Sequence, residues 1–529
     1  MSGSEARVAR SGSRIPFGRN AAFALAALGG AFYFLGFPGF GLWPFAFIAQ
    51  APLMVALAGQ TPRRAAWLGL LNGTVMTLGG FYWLVEMLRV FSGFSTPICL
   101  FFLLVICAYQ GARHAALGWL YARAELRGAS RPLAYALAFA TTELLYPLLF
   151  PWYAAASLTP VPTLVQVAEL GGPILVGLVL VAVNVAVSEV VLARLEGRGL
   201  DRRPLVVGAA ALVGTLVYGW ARIRSVDARM AASDGARVGI VQANMGLMQK
   251  RSNAAEGVQR HKELTAKLKA EKNIDFVVWS ESSVMYTFPE AVADVMLRER
   301  VTGGLGLPAL FGAVVYRSSA DRERDVLFNT SFSTDERGRT TARYDKQYLL
   351  MFGEYLPLAE TFPVLHKISP HSGRFSPGKT LDPLLVAVRG QTHKVSMLIC
   401  YEDILPSFVR SAVRFAEPEL LVNITNDAWF GDTAEPWQHL ALAQLRAIEH
   451  RRFLVRSTNS GVSAVVDAVG RVVKKGGTFQ VEALDAEIKW MKGQTVYGLV
   501  GDSPYYLMSA TAFFLAFRRR RAPAKTTDS

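Results

Sequence analysis

Three short stretches of this chain hold side chains able to break and remake an acyl bond. Cys400 closes the apolar run Val395–Cys400 and is followed at once by Tyr401, Glu402 and Asp403. Glu281 stands just past the apolar run Ile274–Trp279, within Val278-Trp279-Ser280-Glu281-Ser282. Lys346 ends Tyr344-Asp345-Lys346, and Glu354 follows within Phe352-Gly353-Glu354-Tyr355-Leu356-Pro357. A thiol attacks only as thiolate, and an ordinary pKa near ~8.5 leaves it mostly protonated at neutral pH. A nearby carboxylate supplies the base. A lysine supplies positive charge for a developing oxyanion. Each stretch alone has a plainer reading: a solvated loop acid, a surface Asp–Lys pair, a core cysteine. Their shared position at strand ends, where α/β folds present catalytic groups, favours chemistry.

Side chains so placed need an α/β scaffold, and residues 223–503 pattern as one. Strands are predicted at Arg237–Ala243, Ile274–Trp279, Ala309–Tyr316, Val395–Cys400, Glu419–Thr425, Phe453–Thr458 and Val462–Val473. Helices are predicted at Glu256–Lys272 and near Pro436–Arg451. Leu327–Tyr344 reads as a hairpin with its turn at Asp335-Glu336-Arg337-Gly338. Strands alternating with helices, plus hairpins, imply layered α/β architecture.

The rest of the chain is of another kind. Of 529 residues, 52% are hydrophobic and only 18% are charged. Apolar runs cover roughly residues 21–37, 42–58, 65–88, 97–118, 132–149, 163–192 and 204–222, with an eighth at 504–517. This predicts a multi-span α-helical membrane domain. Arg14 and Arg19 before Ala21 resemble the start of a signal peptide, but cleavage would remove one span of many, so residues 21–37 are expected to be a retained helix. Asn72 and Glu143 are the polar residues noted within spans. An intramembrane acid faces a cavity or a partner, so lipid handling is one role for Glu143.

The arginines alternate between loops. Arg7, Arg10, Arg14 and Arg19 precede the first run; Arg63 and Arg64, then Arg123, Arg127 and Arg131, then Arg194, Arg198, Arg202 and Arg203 occupy every second loop. Arg518, Arg519, Arg520, Arg521 and Lys525 follow the last run, while the intervening loops hold only Arg89. By the positive-inside rule both termini are cytoplasmic. The expected division is a cytoplasmic N-terminus at 1–20, seven membrane helices over 21–222, an extracytoplasmic catalytic domain at 223–503, an eighth helix at 504–517 and a basic cytoplasmic tail at 518–529. The net charge of +15 therefore reports topology and not nucleic-acid binding, since residues 223–503 hold 35 Lys+Arg against 32 Asp+Glu. Cys99 and Cys107 share one apolar span and Cys400 stands alone, so no disulfide framework or cysteine metal cluster is expected. No cofactor is expected.

The order Glu281, Lys346, Cys400 resembles the nitrilase (carbon–nitrogen hydrolase) superfamily over residues 237–490. Asn426-Asp427-Ala428-Trp429-Phe430 and Arg456-Ser457-Thr458-Asn459-Ser460-Gly461 are similar to stretches of that superfamily. Seven apolar runs before such a domain and one after it resemble the apolipoprotein N-acyltransferase family. The resemblance implies an αββα sandwich on a membrane base, in a bacterial inner membrane, with the catalytic domain in the periplasm. It implies Cys400 as nucleophile, Glu281 as base and Lys346 at the oxyanion. The Tyr401 N–H is a second oxyanion donor, Glu354 supports the base and lysine, and Glu402 orients the loop or the incoming amine. The implied partners are a phospholipid acyl donor and a diacylated apolipoprotein acceptor, with the enzyme a monomer. Met351 stands where the family usually has proline, and Arg251 where some relatives carry tryptophan. Two rival readings are a membrane-tethered amidohydrolase, with water as the acceptor, and a ligand-binding receptor or transporter with a degenerate domain. Seven spans exceed what an anchor needs, and the cysteine and lysine that such degenerate domains lose are both present.

Overall fold

The computed structural model describes residues 18–246, 253–318, 325–351, 353–356, 361 and 373–518. Arg7, Arg10, Arg14, Arg251, Phe352 and residues 519–529 lie outside the described residues.

Two sheets face each other. The first contains β1 (Gly235–Gln242), β2 (Phe276–Trp279), β3 (Val284–Pro289), β4 (Ala309–Arg317), β5 (Val326–Thr334), β6 (Thr340–Asp345) and β13 (Glu482–Lys489), in the order β13-β1-β2-β4-β5-β6, with β3 beside β4. The second contains β7 (Leu384–Val388), β8 (Gln391–Ile399), β9 (Leu420–Thr425), β10 (Phe453–Thr458), β11 (Ala464–Val466) and β12 (Val472–Lys475), in the order β12-β11-β10-β9-β8-β7. At each sheet's centre three strands are parallel, β1, β2 and β4 in one and β8, β9 and β10 in the other, while β6 pairs antiparallel with β5 at an edge. Strand side chains alternate between faces, and the burial follows. Ile240, Phe276 and Val278 pack between the sheets against Met397 and Leu421. Val241, Val277 and Trp279 pack outward with Leu268 of the helix Ala254–Lys272. Helices Pro406–Ala416 and Glu435–His450 cover the other side, giving an αββα sandwich.

The run Val462–Val473 is not one strand. Asp467 accepts a bond from the Gly470 N–H at 2.9 Å and turns the chain between β11 and β12. The turn at Asp335–Gly338 is as expected, closed by the Gly338 N–H on the Asp335 carbonyl at 2.9 Å. Strands β3, β7 and β13 and the helix Pro406–Ala416 are additions to the sequence reading.

Among the described residues, three helices are long and apolar enough to cross a membrane: Thr96–Glu125, Ala168–Glu196 and Arg202–Ala231. Pro62–Gly80 and Leu84–Val90 make a fourth if the pair, bent by 65°, is one span. The eight runs of the sequence therefore do not each yield a long helix. Residues 42–58 form a short 3₁₀ turn, Trp43–Phe47, and the helix Ala51–Leu57, each with a proline in its first turn, where proline is tolerated. Arg131–Leu145 and Ser503–Phe517, at 15 residues each, fall short of the ~20 a bilayer requires.

Helices Pro62–Gly80 and Thr96–Glu125 touch through backbone. A Cβ on Gly73 would meet the Gly111 carbonyl oxygen at 2.3 Å, so only glycine fits. Beyond Asn72 and Glu143, the apolar helices bury further polar residues the sequence reading passed over. Asn72 bonds His114 at 2.7 Å, and Arg113 pairs with Glu143 at 3.0 Å. Arg113 also donates to the Trp152 carbonyl at 2.9 Å, and Gln110 donates to the Phe150 carbonyl at 2.7 Å. Glu143 is thus half of an ion pair that fixes the segment 149–152.

The helix Glu435–His450 joins the two parts. Leu440, Ala443 and Ala447 pack on the second sheet; Ala441, Leu442, Leu445 and Ile448 pack on the apolar helices. Arg451, just past its end, bonds Glu169 at 2.7 Å and Gln166 at 2.7 Å.

Candidate active site

Strand β8 ends at Ile399, and Cys400 opens a 3₁₀ turn, Cys400–Ile404. Its φ of +51° is a left-handed conformation that costs a non-glycine residue about 1–3 kcal/mol unless its surroundings hold it. They do. The Asn423 amide donates to the carbonyls of Leu398 and Cys400, each at 3.2 Å, and the Glu402 carboxylate accepts the Ile399 N–H at 2.8 Å. The turn thrusts the Cys400 side chain off the strand end, where the Thr425 hydroxyl bonds it.

Glu281 and Lys346 arrive from the facing sheet, past β2 and β6. The Lys346 Nζ lies 2.7 Å from Glu354 Oε2 and 3.6 Å from Glu281 Oε1. Asn329, on β5, donates its amide to both carboxylates, at 2.8 Å each. The Leu350 N–H donates to Glu354 Oε2, the oxygen that Lys346 also meets, at 2.8 Å. The structure thus brings Glu281, Lys346, Glu354 and Cys400 into one cluster. Sequence reasoning missed Asn329, though a polar residue in the buried strand Val326–Thr334 was the available signal.

Burial pushes the Cys400 thiol well up, Glu281 and Glu354 add to that, and Lys346 opposes it. The resting thiol is therefore protonated, and attack requires a base. Burial works against the charge on Lys346, but Glu354, Glu281 and Cys400 outweigh it and keep the ammonium ion charged.

Glu402 is completely buried. Its Oε1 accepts from the Tyr344 hydroxyl at 2.8 Å and from the N–H groups of Gln347 at 2.7 Å and Tyr348 at 3.1 Å. Of its two expected roles, orienting the loop fits and meeting an amine does not, because both oxygens are engaged. Burial raises its carboxyl to about 7, against the pull of the Ile399 N–H and Lys346. Tyr401 has a contact beyond its expected backbone role. Its hydroxyl donates to the Leu149 carbonyl at 2.8 Å and ties the turn to the helical part.

A second polar cluster lies beneath the turn. Arg456 donates to Asp403 at 2.9 Å, Asn423 at 2.7 Å and Asp427 at 3.0 Å. His439 bonds Asp403 through Nε2 at 2.8 Å and Asp427 through Nδ1 at 3.2 Å. Burial disfavours the charged imidazole, but Asp403 and Asp427 win and raise His439 to about 10. Ligand atoms of Asp427, Glu435 and His439 lie within 4.8 Å of one another, a spacing that suits a metal. Arg456 already neutralises Asp427, however, and both His439 nitrogens are taken, so the donors form an ion-pair network.

A narrow cleft opens over Cys400, walled by Phe81, Trp83, Phe150, Trp152, Leu350 and Phe430. Phe81, Trp83, Phe150 and Trp152 of that wall come from the apolar part of the chain, and the rest comes from the α/β domain. A larger polar depression of about 1020 Å³, between Lys394, Arg414, Arg452 and Lys492, contains none of the catalytic candidates.

The comparisons with known proteins agree with this arrangement. Residues 237–495 match the carbon-nitrogen hydrolase family, which is the class that the sandwich and its cysteine turn define. Residues 29–186 match the apolipoprotein N-acyltransferase N-terminal domain. The apolipoprotein N-acyltransferase of Azotobacter vinelandii is 32% identical over 513 residues, covering 94% of this chain and 95% of that protein. The enzyme of the same name from Geobacter metallireducens is 29% identical, covering 94% and 96%. Among solved structures, an amidase of the nitrilase superfamily from Nesterenkonia sp. AN1 is 18% identical, with a TM-score of 0.36, covering 51% of this chain and 96% of that one. The chain belongs to the apolipoprotein N-acyltransferase family. It is a bacterial membrane protein and an acyltransferase built on a carbon–nitrogen hydrolase domain.

Glu402→Gln should separate geometry from chemistry here. An amide nitrogen set against the Ile399 N–H, or against the three donors at the other oxygen, leaves a buried donor unpaired, at a cost of about 1–3 kcal/mol. Thermal melts in detergent should show the loss, with slower thioester formation. An unchanged melt with unchanged rate would remove Glu402 from the positioning machinery.

Proposed function

We propose that this enzyme moves a fatty acyl chain from a phospholipid to the α-amino group of the diacylglyceryl-cysteine of an apolipoprotein, through a thioester on Cys400. The observation that carries the mechanism is the convergence of Glu281, Lys346 and Cys400, from strand ends of two different sheets, beneath an aromatic cleft. Glu281 takes the thiol proton as Cys400 attacks the ester carbon. Lys346 and the Tyr401 N–H face the oxyanion. The tetrahedral intermediate collapses, the carbon–oxygen bond breaks, and the lysophospholipid leaves with the proton returned by Glu281. The acceptor amine then attacks the thioester and Glu281 serves again. Glu354, at 2.7 Å, carries the closer ion pair with Lys346, so protonating Glu281 does not strip the lysine of its partner. The αββα domain lies in the periplasm, both termini lie in the cytoplasm, and the enzyme works as a monomer. The alternating arginines support the orientation.

Incubation with phospholipid should add a hydroxylamine-labile, acyl-sized mass to the wild type. The same mass should appear in Cys99→Ala and Cys107→Ala but not in Cys400→Ala. A thioester on the Cys400→Ala protein would sink the mechanism.

The pH dependence should separate base from oxyanion. Glu281 raises the Cys400 thiol and Lys346 lowers it. Glu281→Gln therefore lets the thiol ionise at lower pH, and acylation, reduced about 10²–10⁴-fold near neutrality, should recover as pH rises. Lys346→Met moves the thiol further up and also removes oxyanion charge, so its loss of about 10²–10³-fold should persist. Single-turnover acylation against pH decides, and equal recovery in both variants would reassign the lysine.

Orientation is testable with reporters. One fused after Ser529 should be active only in the cytoplasm, and one inserted near Asp321 only outside it. A cytoplasmic signal from the second overturns the periplasmic placement.

A further inference from the structure

The cleft over Cys400 is apolar almost throughout, yet one carboxyl faces it. Glu435, in the first turn of the helix Glu435–His450, lines the cleft with its side chain 9% exposed. Its Oε1 lies 3.6 Å from His439 Nδ1, beyond hydrogen-bond length, and its Oε2 has no partner among the described residues. Gln438 and His439, also on the wall, are engaged. Gln438 accepts from the Trp83 indole at 3.1 Å and donates to the Gly80 carbonyl at 2.9 Å. His439 holds Asp403 and Asp427. Trp152, also on the wall, buries an indole N–H without a partner. A buried polar atom left unpaired costs about 1–3 kcal/mol, so an orphaned acid and donor beside a nucleophile imply a polar visitor.

The charges around Glu435 indicate what kind. Asp403 and Asp427 are matched by Arg456 and a protonated His439. That set is neutral before Glu435 is counted. Burial, with Asp427 adding to it, therefore keeps the Glu435 carboxyl protonated well above the usual range. An incoming cation changes this, because a charge of +1 in the cleft balances the one negative charge the cluster cannot otherwise hold. An ammonium group meets that condition and water does not.

We propose that Glu435 receives the acceptor's α-ammonium group in the cleft beside the Cys400 thioester, and so selects an amine over water as the acyl acceptor. This rests on the acyl-transfer reading above. As the ammonium enters, the Glu435 proton leaves to solvent and an ion pair forms. One ammonium proton then passes to Glu435, which frees the nitrogen lone pair. The carbon–nitrogen bond forms and the carbon–sulfur bond breaks. A second proton passes through Glu281 to the departing Cys400 sulfur, and the third stays on the amide. The cycle returns both acids to their starting states and releases one proton.

The test follows the two half-reactions separately. Wild type, Glu435→Gln and Glu435→Asp are loaded from phosphatidylethanolamine and phosphatidylglycerol in detergent micelles. Each is then mixed with a diacylglyceryl-cysteinyl peptide carrying a free α-amine. Gln keeps the resting neutrality of the cluster but cannot ionise. Thioester formation should persist in Glu435→Gln, while transfer to the peptide slows on the order of 10–100-fold, the loss of one buried bond to a charged group. KM for the peptide should rise and more acyl chain should leave as free fatty acid. Glu435→Asp should recover part of the transfer, which a purely packing role would not predict. Transfer at the wild-type rate in Glu435→Gln, or equal slowing of both half-reactions, overturns the assignment. If the wild type forms no thioester, the acyl-transfer reading itself falls and this one with it.

Discussion

A buried ammonium ion must have partners, and the arrangement of this site follows from meeting that demand at Lys346. The residue is 1% exposed, and an isolated charge there would cost several kcal/mol. Two carboxylates, Glu354 and Glu281, supply the compensation. Two carboxylates together then need a donor between them, and Asn329 fills that place from β5. The Lys346 N–H in turn bonds the Asn329 carbonyl at 2.8 Å, so one strand residue fixes the lysine and both acids. Such a network contributes little net stability, because desolvation offsets most of the attraction, but removing a member strands a charge. Its value is geometric.

The same logic couples the two sheets. Cys400 rides on the second sheet, the acids and lysine on the first. Glu402 links them, gripping Ile399 of β8 with one oxygen and Tyr344, Gln347 and Tyr348 with the other. Tyr401 extends the chain of contacts to Leu149, which Gln110 holds through its N–H at 2.8 Å. Arg113 and Glu143 fix Trp152 nearby. Polar groups in the apolar helices therefore set where the aromatic wall stands relative to the nucleophile.

Much of this was legible in the sequence, and the reasons differ by element. The strand carrying Cys400 and that carrying Glu281 are local apolar runs, so their ends could be read directly. The lysine was readable from its stretch Tyr344-Asp345-Lys346 and from its place between Glu281 and Cys400 in chain order. Asn423 and the His439–Arg456 network were not, because their partners come from strands, turns and a helix far along the chain, and Asn329 shows in the sequence only as a polar residue in a buried strand. Glu402 stands beside Cys400 in the sequence, but nothing local announces the four donors it meets, on Ile399, Tyr344, Gln347 and Tyr348. The eight apolar runs marked apolar chain faithfully. They did not reveal which runs make long helices, because Pro44 and Pro52 each open a short element within one run, and another run bends by 65° between Gly80 and Leu84.

The division of the cleft between two kinds of wall bears on how long a thioester survives. A hydrolase of this fold can leave its cysteine open to water, since water is its acceptor. A transferase cannot. Here the α/β domain supplies the charged wall, and Phe81, Trp83, Phe150 and Trp152 close the opposite side with aromatic rings, while Cys400 is 7% exposed. In the proposed reaction a dry wall excludes water and strengthens the field of Lys346 on the oxyanion. It also makes any polar acceptor expensive to admit unless something inside compensates it. In the proposed reaction the phospholipid ester enters along the apolar wall, and the amine must be met by a group of opposite charge. The helix Glu435–His450, packed on the sheet by one face and on the apolar helices by the other, begins at the residue that can do so.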